Sequence, residues 1–472
     1  MKENKMGVLP IKSLVWTMGL PMLISMVLQA IYNVVDTAFV VNMSVGGYEA
    51  NIALGYAFPI QILMIAVGVG LGIGVNALIS KSLGEGDKKK ASKAAYNGII
   101  IALIFYLLFL IFGLFFTKPF ITMQAKLAIQ DEGKRETIIK MGSEYLTICC
   151  TLSIGQMLFV VFERLLQSSG RNTLSMIGQI AGALTNIILD YVFIYPCNMG
   201  VAGAAYATVI GQFVSFILDL IFHFIFDKDI DNKWIYLKLD KEVVKNIFLI
   251  GIPAMIMQAL LSIMMFMSNL VLTTSKDVEL LQSSFSIYYK IQQIALFAFF
   301  GISNALISLT SYNYGKGNKD RLLDLIKHGL ICAIISSVVI TILFEILAKQ
   351  IASLFSLSGP STNEEVAKLC IIAIRIASIG FIFMSISICI QGILQGLREI
   401  FSPLIISILR LVVILLPFEF LFLNIGNPTI IFWIAFPVTE LITSIISIFI
   451  LYRAKHKKID SLAVNMDSLT LS

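Results

Sequence analysis

Along the chain, apolar residues run in long unbroken blocks and polar residues gather between them. Crossing a hydrocarbon layer of ~30 Å takes about 20 helical residues. A window of that length finds twelve blocks, near 14–41, 53–79, 94–116, 142–166, 173–195, 201–225, 243–272, 283–312, 326–349, 368–394, 402–424 and 428–452. Several are longer than ~20 residues, which implies tilt or extension beyond the hydrocarbon. The blocks are apolar all round, where a soluble core would show amphipathic stripes. The pattern predicts an all-α polytopic membrane protein with twelve transmembrane helices.

Composition supports this reading. The 472 residues are 58% hydrophobic, mean hydropathy is +0.89, and only 14% are charged. Soluble domains hold about 25% charged residues. The net charge of +6 lies mostly in short loops, so membrane orientation explains it and nucleic-acid binding is not expected. Lys and Arg concentrate at the N-terminus, at 81–93, 227–245 and 316–327, and at 453–458. The opposite side has short, mostly neutral links and one mixed-charge loop at 117–141. The positive-inside rule puts both termini in the cytoplasm. The basic N-terminus enters its apolar block with no small-residue cleavage site, as an uncleaved first span would. The six cysteines lie within or at the ends of apolar blocks without paired spacing, and read as small hydrophobes.

The chain also repeats itself. GLGIGVNALISKSLGEGDKKK (70–90) matches GISNALISLTSYNYGKGNKDR (301–321), pairing Gly70 with Gly301, Gly84 with Gly315 and Gly86 with Gly317. GLPMLISM (19–26) echoes GIPAMIMQ (251–258), pairing Pro21 with Pro253. LLQSSGR (165–171) echoes ILQGLRE (393–399), pairing Gln167 with Gln395. The chain therefore divides into an N-terminal lobe (1–225), a cytoplasmic linker (226–242) and a C-terminal lobe (243–472). Each lobe has six spans, and a pseudo-two-fold along the membrane normal relates them. Two such lobes suggest a transporter with its substrate cavity between them.

Asp36 sits inside the first apolar block, where a carboxylate costs ~3 kcal/mol on insertion scales. Partners must lie at the same depth, and the rise of ~1.5 Å per residue sets that depth from the span ends. Asn186 and Asp190 in span 5 are four apart, hence on one face. With Thr208 in span 6 and Asn33 in span 1, they fall in one slab with Asp36. Carboxylates, amide and hydroxyl together make a hard-oxygen site for a small cation, or for a proton shared between acids. Asp36, Asn186 and Asp190 would be the ligands if the ion is sodium. A polar cluster that only joins helices is the alternative.

The repeat projects Asp36 onto Ser268, and Asn186 and Asp190 onto Ile414 and Phe418, so an acidic site of this kind is expected once, in the first lobe. The second lobe carries Lys290, Arg375, Arg410, Glu419 and Glu440 within its spans. Lys290 and Arg375 are expected to pair with Glu419 or Glu440, because an unpaired buried charge is costly; a substrate or relay role is the alternative. Glu163 is either a surface residue or an inner-side proton step, and adjacent Arg164 should not share its helical face. The glycines of GVGLGIG (68–74) follow no strand and open no soluble helix, so close helix packing is expected there in place of a nucleotide loop. Met22, Met26, Met255, Met257, Met264, Met265 and Met267 lie in spans 1 and 7, expected to face each other, as apolar filling or as a soft drug-binding wall.

With these residues in hand, the chain resembles the multidrug and toxic compound extrusion (MATE) family. The matching features are GLP with Asp36 in span 1, the glycine-rich end of span 2 with SKSLGEGD, LLQSSGRNT after span 4, and NIILD with GAAYAT in spans 5 and 6. The resemblance implies export of cationic or amphipathic compounds, driven by inward sodium ions or protons, through rocking of two lobes. It places Asp36, Asn186, Asp190 and Thr208 where the family's first-lobe cation site lies. Some members also use acids in spans 7 and 10; here span 7 has none and span 10 carries Arg375.

The expectation is a secondary antiporter in the cell membrane, working as a monomer on small organic substrates among membrane lipids. It needs no cofactor beyond its coupling ion, Na+ or H+. Cation entry would neutralise Asp36 and Asp190 and change the bending of span 1, where Pro21 is a weak point. A flippase for lipid-linked precursors is the main alternative; it predicts a cavity lined by bases such as Lys290, Arg375 and Arg410. An intramembrane hydrolase using Asp36 and Asp190 is the remaining one, and nothing in the sequence marks a scissile-bond site.

Overall fold

The computed structural model describes residues 4–43, 47–129, 131–356, 364–425 and 427–462. The chain is almost wholly helical. The first half contains a short α1 (Lys5–Val8), then α2 (Ile11–Val41), α3 (Gly47–Gly84), α4 (Lys88–Phe115), α5 (Thr117–Ala128), α6 (Glu132–Thr151), α7 (Ile154–Ser168), α8 (Asn172–Ile194) and α9 (Gly200–Phe226). The second half contains α10 (Lys241–Leu272), α11 (Val278–Gly315), α12 (Lys319–Ser356), α13 (Glu364–Ser378), α14 (Phe381–Gly396), α15 (Ser402–Ile408), α16 (Leu415–Leu423), α17 (Pro428–Ile431) and α18 (Ala435–Ala454). Among the described residues, ten helical segments are long and apolar enough to cross a membrane, and two bent pairs, each taken as one span, bring the total to twelve. The bends are 46° between α6 and α7 and 55° between α13 and α14, that is, in spans 4 and 10. Bends at matching places in the two halves support the internal repeat.

The helices run past the apolar blocks because their ends are capped in the polar loops. Asp87 accepts from the amide of Lys90, Asp131 from that of Lys134, and Asp240 from those of Glu242 and Val243. Gly86 and Gly317 both adopt positive φ (78° and 72°) in the turns after α3 and α11, which explains why the repeat keeps a glycine at each. The segment 117–141 is not a loop. Thr117, Ile121 and Ala125 are buried at helical spacing, so α5 lays one face on the lobe, and α6 begins at Glu132.

The halves meet along glycine seams. α10 packs along α3, and α2 packs along α11 and α8. Spans 1 and 8, and 2 and 7, are thus the pairs in direct packing, while spans 1 and 7 face each other across the central space, which Met26 and Met257 both line. A Cβ on Gly74 would strike the Ile247 carbonyl, one on Gly301 the Met22 carbonyl, one on Gly84 the Tyr312 carbonyl, and one on Gly315 the Lys81 carbonyl. The glycine-rich stretch in span 2 is therefore a helix-packing surface, as small residues in membrane helices commonly are.

Span 11 departs from its counterpart in the first half. A π-helical turn, Leu409–Ile414, separates α15 from α16. Pro417 supplies the physical cause: it has no N–H to give the Val413 carbonyl, and its ring crowds the preceding turn. The turn inserts one residue. Before it, the buried positions Ser175, Gly178, Gln179 and Gly182 of α8 correspond to buried Pro403, Ile406, Ser407 and Arg410. After it, buried Asn186, Asp190 and Ile194 correspond to buried Leu415, Glu419 and Leu423, one place beyond Ile414, Phe418 and Phe422. The sequence register that put Phe418 opposite Asp190 is corrected: Glu419 occupies that place.

Candidate functional site

Asp36 and Asp190 meet inside the first lobe. Their carboxyl groups lie within hydrogen-bonding reach of each other, from α2 and α8. Asp190 is fully buried, and neither of its oxygens has a donor. Asp36 Oδ1 and Asn186 Oδ1 are likewise buried without a donor. Asn186 Nδ2 donates to Thr208 Oγ1 at 3.4 Å, tying α8 to α9. Four of the five residues placed in one slab by depth are thus gathered by three helices. The fifth, Asn33, turns to the exposed side of α2. Tyr32 takes the inward position instead, within electrostatic reach of both acids and hydrogen-bonding reach of Gln29. Four donorless oxygens in a buried pocket can hold a small monovalent cation, or a proton shared between the carboxyls.

Gln29 connects this pocket to the interior of the molecule. Its Oε1 accepts from Gln179 Nε2 at 2.7 Å. It also lines a central cavity between the lobes. Gln258, Asn304, Gln391, Gln395 and Arg410 supply further polar groups, and Met26, Met257, Phe297 and Phe300 supply apolar wall. Amides and soft apolar groups in a concave space suit varied amphipathic molecules. Only some of the seven methionines take part: Met26 and Met257 face the cavity, Met22 and Met264 are buried, and Met267 is exposed. Gln29, Tyr32 and Asp36 recur at three- and four-residue spacing, so one stripe of α2 runs from cavity to acids. The sequence reading passed over Gln29 and Tyr32, and that spacing was the signal that could have found them.

Glu163 is not at the surface. It is 3% exposed, and Arg164 beside it 1%. Gln167, three and four residues on, joins them: Arg164 Nη1 donates to Gln167 Oε1 at 2.8 Å, and Gln167 Nε2 donates to Glu163 Oε1 at 2.9 Å. An Arg164 Nε–Glu163 Oε2 contact of 3.8 Å completes the group. The adjacent acid and base thus share one buried site despite pointing from different faces. Asp219 of α9, also fully buried, lies within electrostatic reach of Glu163.

In the second lobe the expected pairings change. Lys290 and Arg375 are exposed and pair with neither Glu419 nor Glu440. The base that pairs is Arg410, whose Nε donates to Glu440 Oε1 at 2.7 Å and Oε2 at 3.0 Å. Glu419 instead accepts from Ser268 Oγ at 2.9 Å. Among the described residues, no three His, Cys, Asp or Glu side chains gather as a metal-holding group, and all six cysteines are free thiols.

Two six-helix lobes around a central cavity, with a buried polar site inside one lobe, define a polytopic membrane transporter rather than an enzyme. The family model MatE matches residues 21–192 and 253–421, opening on the paired prolines Pro21 and Pro253. The chain belongs to the MatE family. It is similar to the multidrug export protein MepA of Staphylococcus aureus (strain bovine RF122 / ET3-1), 26% identical over 402 residues covering 84% of each chain. It is equally similar to MepA of Staphylococcus haemolyticus (strain JCSC1435), 26% identical over 444 residues and 93% of each chain. Among solved structures, the outward-facing conformation of a multidrug resistance MATE family transporter of the MOP superfamily superposes with a TM-score of 0.88. That likeness is at 23% identity and covers 98% of this chain and 99% of the other.

Proposed function

We propose that the protein exports lipophilic and amphipathic organic compounds across the cell membrane by cation-coupled antiport, with the end bearing both termini in the cytoplasm. The observation that carries the reading is the Asp36–Asp190 contact with its donorless oxygens, joined through Tyr32 and Gln29 to the cavity wall. An inward-moving Na+ or H+ neutralises the acids. The packing of α2 on α8 then changes, with Pro21 as the weak point at which α2 can bend, and so does the cavity wall that α2 supplies. Substrate and cation thus favour different arrangements of the lobes, which is what antiport by alternating access requires. The MepA relatives, named for multidrug export, support organic substrates. Because the two lobes of one chain line the cavity, a monomer as the working unit fits this reading.

The cavity argues against the flippase alternative. A lipid-linked phosphate calls for a basic floor, yet Lys290 and Arg375 do not line the cavity and Arg410 is already engaged by Glu440. The test is efflux of a fluorescent lipophilic cation from loaded vesicles, under a sodium gradient and then a pH gradient. Asp36→Asn is expected to lower gradient-driven efflux by tenfold or more (about the size of one lost coupling interaction) while the protein still inserts. Undiminished efflux by that variant would overturn the mechanism.

A further inference from the structure

Once the π turn is counted, the second lobe reproduces the geometry of the first. Asp36 corresponds to Ser268 and Asp190 to Glu419, and the two counterparts touch: Ser268 Oγ donates to Glu419 Oε1 at 2.9 Å. Both residues are fully buried. Glu419 Oε2 has no donor. The charged groups around it do not neutralise it. Arg410 is spent on Glu440, and no Lys, Arg or His among the described residues forms an ion pair with Glu419. Tyr288, buried with its own hydroxyl unpartnered, lies within electrostatic reach of Glu419, Glu440 and Arg410. Arg410 lines the central cavity, and Arg410 and Glu440 line a smaller space that shares Leu261 and Leu411 with it.

A carboxylate away from water with no counter-charge must take up a neutralising ion. Glu419 offers one open oxygen and a neighbouring hydroxyl donor, too few oxygens to wrap a metal ion but enough for a proton. We propose that Glu419, held by Ser268, is a second proton-binding site, so that each lobe carries its own coupling site. The inference rests on the cation-coupled reading above and adds a stoichiometry to it. The proton that Glu419 holds in this arrangement leaves when the second lobe rearranges around substrate, and it is counted separately from the ion at Asp36–Asp190.

The experiment counts protons released when the purified protein binds rhodamine 6G in weakly buffered detergent solution, where each titrating site adds one proton to the linkage. Glu419→Gln is expected to release about one proton fewer than the wild type. A double variant, Asp36→Asn with Asp190→Asn, is expected to keep about one proton, because Glu419 remains. An unchanged count in Glu419→Gln overturns the second site. Should Glu419→Gln fail to fold, the double variant decides alone: release of no proton there refutes the proposal. Failure of the coupling reading itself looks different, since wild-type efflux would then ignore both the sodium and the pH gradient.

Discussion

At the residue scale, the buried charges sort by whether a partner meets them. Arg410 and Glu440 are 5% and 6% exposed and share two contacts, so removing one strands the other. Arg410→Ala is expected to lower the stability of the second lobe by about 3–5 kcal/mol, the usual cost of breaking a buried pair. The combined change Arg410→Met with Glu440→Leu is expected to restore most of that loss, because neither charge is then left in an apolar setting. Thermal unfolding in detergent measures both. Equal midpoints for the single and double variants would contradict a structural role for the pair.

At the element scale, the π turn at Leu409–Ile414 does more than relieve Pro417. It rotates everything after it, and with that rotation Glu419 rather than Phe418 faces Ser268. Deleting Val412 would remove the inserted residue and let the segment close as a regular α-helix with Glu419 still facing Ser268, and the deletion is expected to keep the wild-type proton count. Pro417→Ala, which supplies the missing N–H and lets the helix close with every residue kept, would turn the residues beyond it by about 100° and is expected to carry Glu419 off Ser268 and to reproduce the proton deficit of Glu419→Gln. A Pro417→Ala variant with the full proton count would show that Pro417 does not set the site. α2 is the matching element in the first lobe, since Gln29 on the cavity and Asp36 at the acids move together on one helix.

At the scale of the whole molecule, the end bearing the basic loops is closed. Gly84 and Gly315 let α3 and α11 cross there in backbone contact. α1 is strapped across the same end: Arg321 donates to the Met6 and Leu9 carbonyls at 3.0 and 2.9 Å, and Asn4 donates to the Ser169 carbonyl at 3.2 Å and Asp229 at 3.1 Å. One short helix therefore holds both halves. Gly84→Ala would drive a methyl into the Tyr312 carbonyl and is expected to shift the population toward opening at this end. Spin labels at Lys88 and Lys319 should report longer distances in that variant. Arg321→Ala is expected to act in the same direction and more weakly, because the glycine crossing remains.

The sequence by itself determined the twelve spans, the two-fold repeat and the slab holding Asp36, Asn186, Asp190 and Thr208. Helical rise and periodicity are local properties, so depth and face follow from counting residues. It left open whether that slab was one pocket, because nothing in a single helix says how neighbouring helices are turned. Tertiary structure decided the rest. Gln167 bridging Glu163 to Arg164, Tyr32 facing inward in place of Asn33, and the exposure of Lys290 and Arg375 all depend on which helix packs against which. The one-residue insertion that brings Glu419 to Ser268 lay beyond the hydrophobic pattern, because a π turn keeps a segment apolar and helical while changing its rotation. Only Pro417 marked it, and a proline in a membrane helix can be accommodated in several ways until its neighbours fix one.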